Sequence, residues 1–159
     1  MYTGSSGGVP PGELVSIPGN NMGGKSVTAK MIGCIVLLAQ IGSYVPAERA
    51  KIGLFDGCYT RMGMSEELAQ GRSAFMVEMN EAAKILRTAS PRSLVIIDEL
   101  GYGTSTYDGL AIANAVLNQL VSSIRCFTIF ITHYPQLNEL AIKVNPPIRK
   151  PVFFKHQLM

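Results

Sequence analysis

Residues 19–26 read G-N-N-M-G-G-K-S, and this octapeptide constrains the fold more than any other stretch of the chain. The spacing G-x-x-x-x-G-K-[ST] has a mechanical reason. Gly19, Gly23 and Gly24 permit backbone angles closed to other residues, so successive N–H groups can turn inward around an anion. Lys25 reaches the β- and γ-phosphates of a nucleotide as a point charge, and the Ser26 hydroxyl can ligate Mg²⁺. A helix opening near Lys25 directs the positive end of its dipole at the same phosphates. Such a loop needs a strand before it and a helix after it. L-V-S-I at 14–17 is a short apolar run ending at Pro18-Gly19, and 25–40 is long enough for a helix and contains no proline. A glycine-rich turn without a ligand is the competing reading, and both flanking elements weigh against it.

The chain has 159 residues, which is room for one domain with a real core. At 47% hydrophobic and 16% charged it is rich in interior residues, which argues against disorder. The net charge of +3 is too small to argue for nucleic-acid binding by electrostatics alone. Cys34, Cys58 and Cys126 are odd in number and widely spaced, and lack metal-ligand spacing. They suit free thiols in a reducing compartment. Cys34 and Cys126 lie in apolar runs and are expected in the core. The longest apolar run, 32–41, is too short to span a membrane. Residues 1–13, dominated by Gly, Ser and Pro, are expected to be a flexible lead-in or a truncation scar, with 14–159 as a single domain.

Strand and helix signals alternate along the rest. The stretch 44–55 holds β-prone pieces such as K-I-G-L-F at 51–55, and 62–72 reads as a loop or a short helical excursion. Ser73 stands where an N-cap belongs, and Phe75, Met79, Ala82 and Leu86 follow at helical spacing until Pro91. L-V-I-I at 94–97 is the pattern of a strand buried on both faces. A helix is expected over 108–121, with Leu110, Ala113, Leu117, Leu120 and Val121 on its core face. A second buried strand follows at 126–131, then a short helix at 134–142 and a late edge strand at 152–154. The sum is an α/β domain with a mostly parallel sheet flanked by helices.

L-V-I-I-D-E at 94–99 ends a buried strand in two carboxylates, and ligands gather at the carboxyl ends of strands in such sheets. Asp98 fits an outer-shell or direct Mg²⁺ partner, and Glu99 fits the residue that polarises an attacking water. Acidic caps on a turn are the plainer alternative. His133 follows the strand at 126–131, where an imidazole could touch the γ-phosphate. A loop histidine bonded to backbone is equally compatible with that position. His156 has no such context.

Taken in order, G-N-N-M-G-G-K-S, A-Q-I-G-S-Y-V-P-A, G-R-S-A-F-M-V-E-M, L-V-I-I-D-E-L-G-Y-G-T-S-T-Y-D-G and I-T-H-Y resemble the ATPase domain of the MutS family of DNA mismatch-repair proteins. The resemblance runs from about residue 14 to 140 and implies a P-loop NTPase fold of the ABC-type ATPase class. It implies ATP and Mg²⁺ as ligands. Gly19, Asn20, Asn21, Met22, Gly23, Gly24, Lys25, Ser26 and Val27 match the ATP-binding loop, and Ser26 and Asp98 match the Mg²⁺ residues. Glu99 matches the catalytic carboxylate and His133 the switch histidine. Ser73 matches the signature serine that serves the site of the other subunit, and 103–106 matches the loop crossing the interface. The implied assembly is a homo- or heterodimer with a second MutS-like subunit. T-H-Y-P at 132–135 and D-G-L-A-I-A at 108–113 lean toward the eukaryotic paralogue that handles insertion–deletion loops.

Departures from the family pattern bear on activity. Asn20 stands where proline is frequent, Val27 where a hydroxyl is usual, Ala74 beside the signature serine where Thr is common, and Tyr102 where Arg is common. The loss of a side-chain hydrogen bond at Val27 is worth about 1 kcal/mol. Tyr102 removes a cation next to Glu99, and these changes fit slow hydrolysis without implying its absence. Without a dimer partner the chain is expected to be slow or inactive. The mismatch-binding, connector, lever and clamp domains of the family have no counterpart in the chain, so mismatched DNA would be met only through domains it lacks. The expected compartment is the nucleus for a eukaryotic source and the cytoplasm otherwise, with no membrane association. A non-catalytic nucleotide-binding or dimerisation module is the alternative function. An ABC-type ATPase of transport or chromosome maintenance would usually carry L-S-G-G-Q, which S-A-F-M-V-E-M at 73–79 is not.

Overall fold

Continuous apolar runs have no face that water can cover, so each must lie between packed layers. In the computed structural model, which describes residues 14–18, 24–63 and 74–137, the two such runs form the centre of a sheet. The elements in chain order are β1 (Leu14–Pro18), α1 (Lys25–Gln40), β2 (Cys58–Arg61), α2 (Ala74–Thr88), β3 (Leu94–Asp98), α3 (Thr106–Asn118) and β4 (Phe127–Thr132). A π-helical turn, Gln119–Ile124, extends α3. Among the described residues the sheet has four strands in the order β1-β4-β3-β2, and every pairing is parallel.

The period of two in the strands sorts their side chains onto two faces. Leu94, Ile96, Ile129 and Ile131 pack with Ala29 and Val36 of α1. Val95, Ile97 and Phe130 pack with Ala82 and Ile85 of α2 and with Ala113, Val116 and Leu117 of α3. The result is three layers, helix–sheet–helix, with β3 and β4 covered on both sides.

Several elements differ from their sequence expectation. The β-prone stretch 51–55 is not a strand, and β2 begins at Cys58 instead. The Gln40 side-chain amide occupies the backbone of Phe55, donating to its carbonyl at 2.9 Å and accepting from its N–H at 3.2 Å. The paired strand runs from Cys58, opposite Leu94, and a further bond in the same register, from Asp56 N–H to the Arg92 carbonyl, precedes it. Cys34 is exposed, whereas Cys126 is buried as expected. Cys34 lies between the inward positions Gly33 and Val36 on α1 and so faces outward. On α2 the buried stripe is Val77, Glu78, Ala82 and Ile85, rotated from the expected Phe75, Met79 and Leu86, which are half-buried flanks. The helix expected over 108–121 starts at Thr106, capped by Ser105, whose hydroxyl accepts from Asp108 N–H at 3.2 Å. Residues 135–137 are helical, and the expected edge strand at 152–154 lies outside the described residues.

One close approach holds the turn after β3 against α3. Gly101 has φ +89°, and a Cβ there would meet the Gly109 carbonyl oxygen at 2.6 Å. A Cβ on Gly109 would overlap the Tyr134 hydroxyl and the Gly101 carbonyl oxygen. Gly109→Ala is therefore expected to destabilise the domain by about 3 kcal/mol, the upper part of the overpacking range. Urea unfolding measures this as a lower midpoint at unchanged slope. A midpoint equal to the parent's would contradict the contact.

Candidate functional site

Parallel strands bring their carboxyl ends to one edge, and here those ends are in register. Pro18 of β1 stands opposite Thr132 of β4, and Asp98 of β3 stands opposite Ile131. The residues that leave these strands therefore share one edge of the sheet.

After β1 the chain returns as α1. Its N-cap, Gly24, is left-handed at φ 70° and contributes no side-chain cap. The N-terminal end of a helix carries the positive end of the helix dipole, which favours an anion there. Thr28 closes the turn instead by donating its hydroxyl to the Gly24 carbonyl at 2.9 Å. Lys25, the first helical residue, is 8% exposed, a rare degree of burial for an ammonium group. Ser26 is half-buried beside it, and Val27 points outward at 70% exposure.

β3 delivers the carboxylates. Asp98 is 8% exposed, and its Oδ1 is buried with no hydrogen-bond partner. A buried, unpartnered carboxylate oxygen is costly unless a cation answers it. Mg²⁺ fits this oxygen, because it prefers one or two carboxylates plus waters and phosphates to a protein cage. No cluster of three or more metal-binding side chains occurs among the described residues. Glu99 leaves the strand at φ 54°, left-handed for a residue with a Cβ, and its N–H donates to the Ile131 carbonyl at 3.0 Å. Strain of this kind costs on the order of 1–3 kcal/mol and persists where the surroundings over-determine it. It sends the half-buried carboxylate back toward α1, where Oε1 lies 4.0 Å from Lys25 Nζ.

His133 follows β4 and is exposed. The Thr132 hydroxyl accepts from Tyr134 N–H at 3.0 Å, a tight turn between them. The His133 ring packs against Tyr134 at 4.0 Å between centroids and meets Tyr102 edge-on at 5.7 Å. Tyr102 thus touches the histidine and is otherwise open to solvent at 73% exposure.

The structure brings Lys25, Asp98 and Glu99 together and sets His133 on the same sheet edge. Gly19, Asn20, Asn21, Met22, Gly23 and Ser73 lie outside the described residues. Two residues that the sequence did not single out join this edge from beneath. Glu78 is 3% exposed and accepts from Gly101 N–H at 2.9 Å, and Arg61 Nη2 is 3.3 Å from it. The signal was a carboxylate on an apolar stripe, at 78, 82 and 85. Tyr134, also buried, donates its hydroxyl to the Gly101 carbonyl at 3.2 Å. Burial raises the Tyr134 phenol above its ordinary value, and the nearby Glu78 charge adds to that, so it stays a donor.

No described helix is long and apolar enough to cross a membrane. The family model described as MutS domain V matches residues 15–150. Among curated proteins, the DNA mismatch repair protein msh3 of Aspergillus fumigatus is 56% identical over 125 residues. Those of Pyricularia oryzae and Botryotinia fuckeliana are each 57% identical over 125 residues. Each alignment covers 79% of this chain and 11% of the relative, so the chain spans about a tenth of these proteins' length. The relatives agree with the lean toward the eukaryotic paralogue, and with a parallel sheet between helix layers and a match over most of its length, the chain belongs to the MutS family, as an α/β domain of the ABC-type ATPase class corresponding to MutS domain V.

Proposed function

We propose that this chain is the ATP-binding and ATP-hydrolysing module of a DNA mismatch-repair protein. The observation that carries the reading is the joint placement of buried Lys25, Glu99 at 4.0 Å from it, and the unpartnered Oδ1 of buried Asp98. A phosphate chain entering this edge would meet the Lys25 ammonium and the first N–H groups of α1. Asp98 and Ser26 would hold Mg²⁺, which supplies charge neutralisation on the β- and γ-oxygens when bound. Glu99 would accept a hydrogen bond from the attacking water and orient it. Little else is asked of the protein in phosphoryl transfer, since positioning and charge do most of the work. His133 would touch the γ-phosphate from the end of β4.

The site is read as composite. Ser73, next before the first residue of α2, would serve the nucleotide of a second MutS-like subunit. Reading of mismatched DNA is assigned to parts of the longer relatives outside the matched segment. The compartment that goes with this role is the nucleus if the source is eukaryotic, as the fungal relatives are. A pairing module without turnover is the second reading, favoured by Val27, which offers the phosphates no hydroxyl, and by Tyr102 in place of a cation.

Titration of Mg-ATP into the purified chain, alone and mixed with a MutS-like partner subunit, tests the proposal. Micromolar binding with phosphate release in the mixture is expected. Absent or millimolar binding in both arms would leave only the pairing module.

A further inference from the structure

Among the described residues, one buried charge cluster that the proposed chemistry does not use lies under the carboxylate turn. Glu78, in the middle of α2, is 3% exposed. Its Oε1 accepts from Gly101 N–H at 2.9 Å and lies 3.3 Å from Arg61 Nη2 of β2. Arg61 Nε in turn lies 3.2 Å from Glu81 Oε2. A buried ion pair is a poor device for stability, because apolar side chains of the same volume often do as well or better. What an apolar residue cannot do is hold one particular N–H in one place.

That N–H belongs to the turn that aims Glu99. Gly101 is held on its other side by the Tyr134 hydroxyl, 3.2 Å from its carbonyl oxygen. Further along the same loop, Gly103 lies close to the Phe75 backbone and to Glu78 Oε2: a Cβ on it would stand 3.4 Å from Phe75 Cα and 3.5 Å from Glu78 Oε2. Helix α2 and the loop after β3 are therefore joined at Glu78. Glu99 sits in a strained left-handed conformation at φ 54°, so its carboxylate direction depends on how firmly the next two residues are held.

We propose that Glu78 is a positioning residue: its carboxylate ties α2 to Gly101 and thereby fixes the orientation of the Glu99 carboxylate. The proposal rests on the ATPase reading for its kinetic arm. One end of α2 follows directly on Ser73 in the chain, so the tie joins the element read as serving the partner's nucleotide to the carboxylate read as serving its own.

The test uses the chain paired with its MutS-like partner and two readouts. In Glu78→Leu, exchange of the Gly101 amide without nucleotide is expected to be at least about tenfold faster, since its acceptor is gone. kcat is expected to fall about tenfold while KM for Mg-ATP stays within about twofold, because the phosphate loop is untouched. Glu78→Gln keeps an acceptor oxygen for Gly101 and should restore most of kcat. A merely structural role would lower thermal stability without splitting kcat from KM and without rescue by glutamine. If Glu78→Leu does not fold, Glu78→Asp, which keeps the charge but is a methylene short of Gly101, carries the same readouts. Unchanged Gly101 exchange, or faster exchange with unchanged kcat, would overturn the proposal. The exchange arm needs no nucleotide, so a parent chain that failed to hydrolyse ATP would overturn the ATPase reading while Gly101 exchange still decided the tie.

Discussion

Lys25→Ala is expected to abolish nucleotide binding at micromolar concentration. Lys25 is the first residue of α1 and is 8% exposed, so its charge is only weakly screened by water. The two carboxylates of Asp98 and Glu99 share its edge of the sheet, with Glu99 Oε1 at 4.0 Å. Removing the ammonium takes away the cation that faces the phosphates and leaves those carboxylates to repel them. Truncating one partner of a buried charge pair costs about 2–5 kcal/mol, which is a loss of roughly 30- to several-thousand-fold in affinity. The helix N-terminus alone offers on the order of 1 kcal/mol to an anion and cannot compensate. Titration with a fluorescent ATP analogue in the presence of Mg²⁺ reads the effect. An affinity within threefold of the parent's would mean that phosphates bind elsewhere.

Glu99→Gln should have the opposite signature: nucleotide binding retained, turnover nearly stopped. Glutamine has the same shape and can keep the left-handed turn and its N–H bond to Ile131. It cannot accept a proton from water as a carboxylate does. Loss of a positioned general base costs about 10²–10⁴-fold in rate. Glu99 is 33% exposed and 4.0 Å from Lys25 Nζ, so the substitution should change stability far less than it changes turnover. Phosphate release at saturating Mg-ATP, measured on the chain mixed with a MutS-like partner subunit, checks this. Hydrolysis at the parent rate would remove Glu99 from the catalytic role. Together the two substitutions separate binding from chemistry, since one empties the site and the other fills it without product.

Much of the architecture was legible because its elements carry local signals. The runs expected as strands at 94–97 and 126–131 are mostly apolar, short and rich in β-branched and aromatic residues, and they lie in β3 (94–98) and β4 (127–132), covered on both sides. α1 spans 25–40 as its composition requires, and ends before Gly42, left-handed at φ +75°. The misplacements have local causes of another kind. The side-chain amide of Gln40 claims the Phe55 backbone from fifteen residues away, and no window of sequence shows that. The inward face of α2 was displaced because Glu78, a charged residue, occupies a buried position. A periodicity of apolar residues cannot register a carboxylate whose burial depends on Arg61 and Gly101.

The sequence by itself determined the fold class, the family, and which residue types could cradle a phosphate chain. The fold class and the residue types follow from pattern and spacing along the chain, where glycine, lysine, serine and paired carboxylates carry their chemistry wherever they fold. The family follows from the resemblance of several motifs in one order. Only the tertiary structure decided the geometry. It put Lys25 and Glu99 at 4.0 Å through a left-handed turn, set Tyr102 against His133, and joined Glu78 to Gly101 across the core. The reason is distance in sequence. Lys25 and Glu99 are far apart along the chain, and only the parallel register of β1, β4 and β3 brings the ends of those strands to one edge.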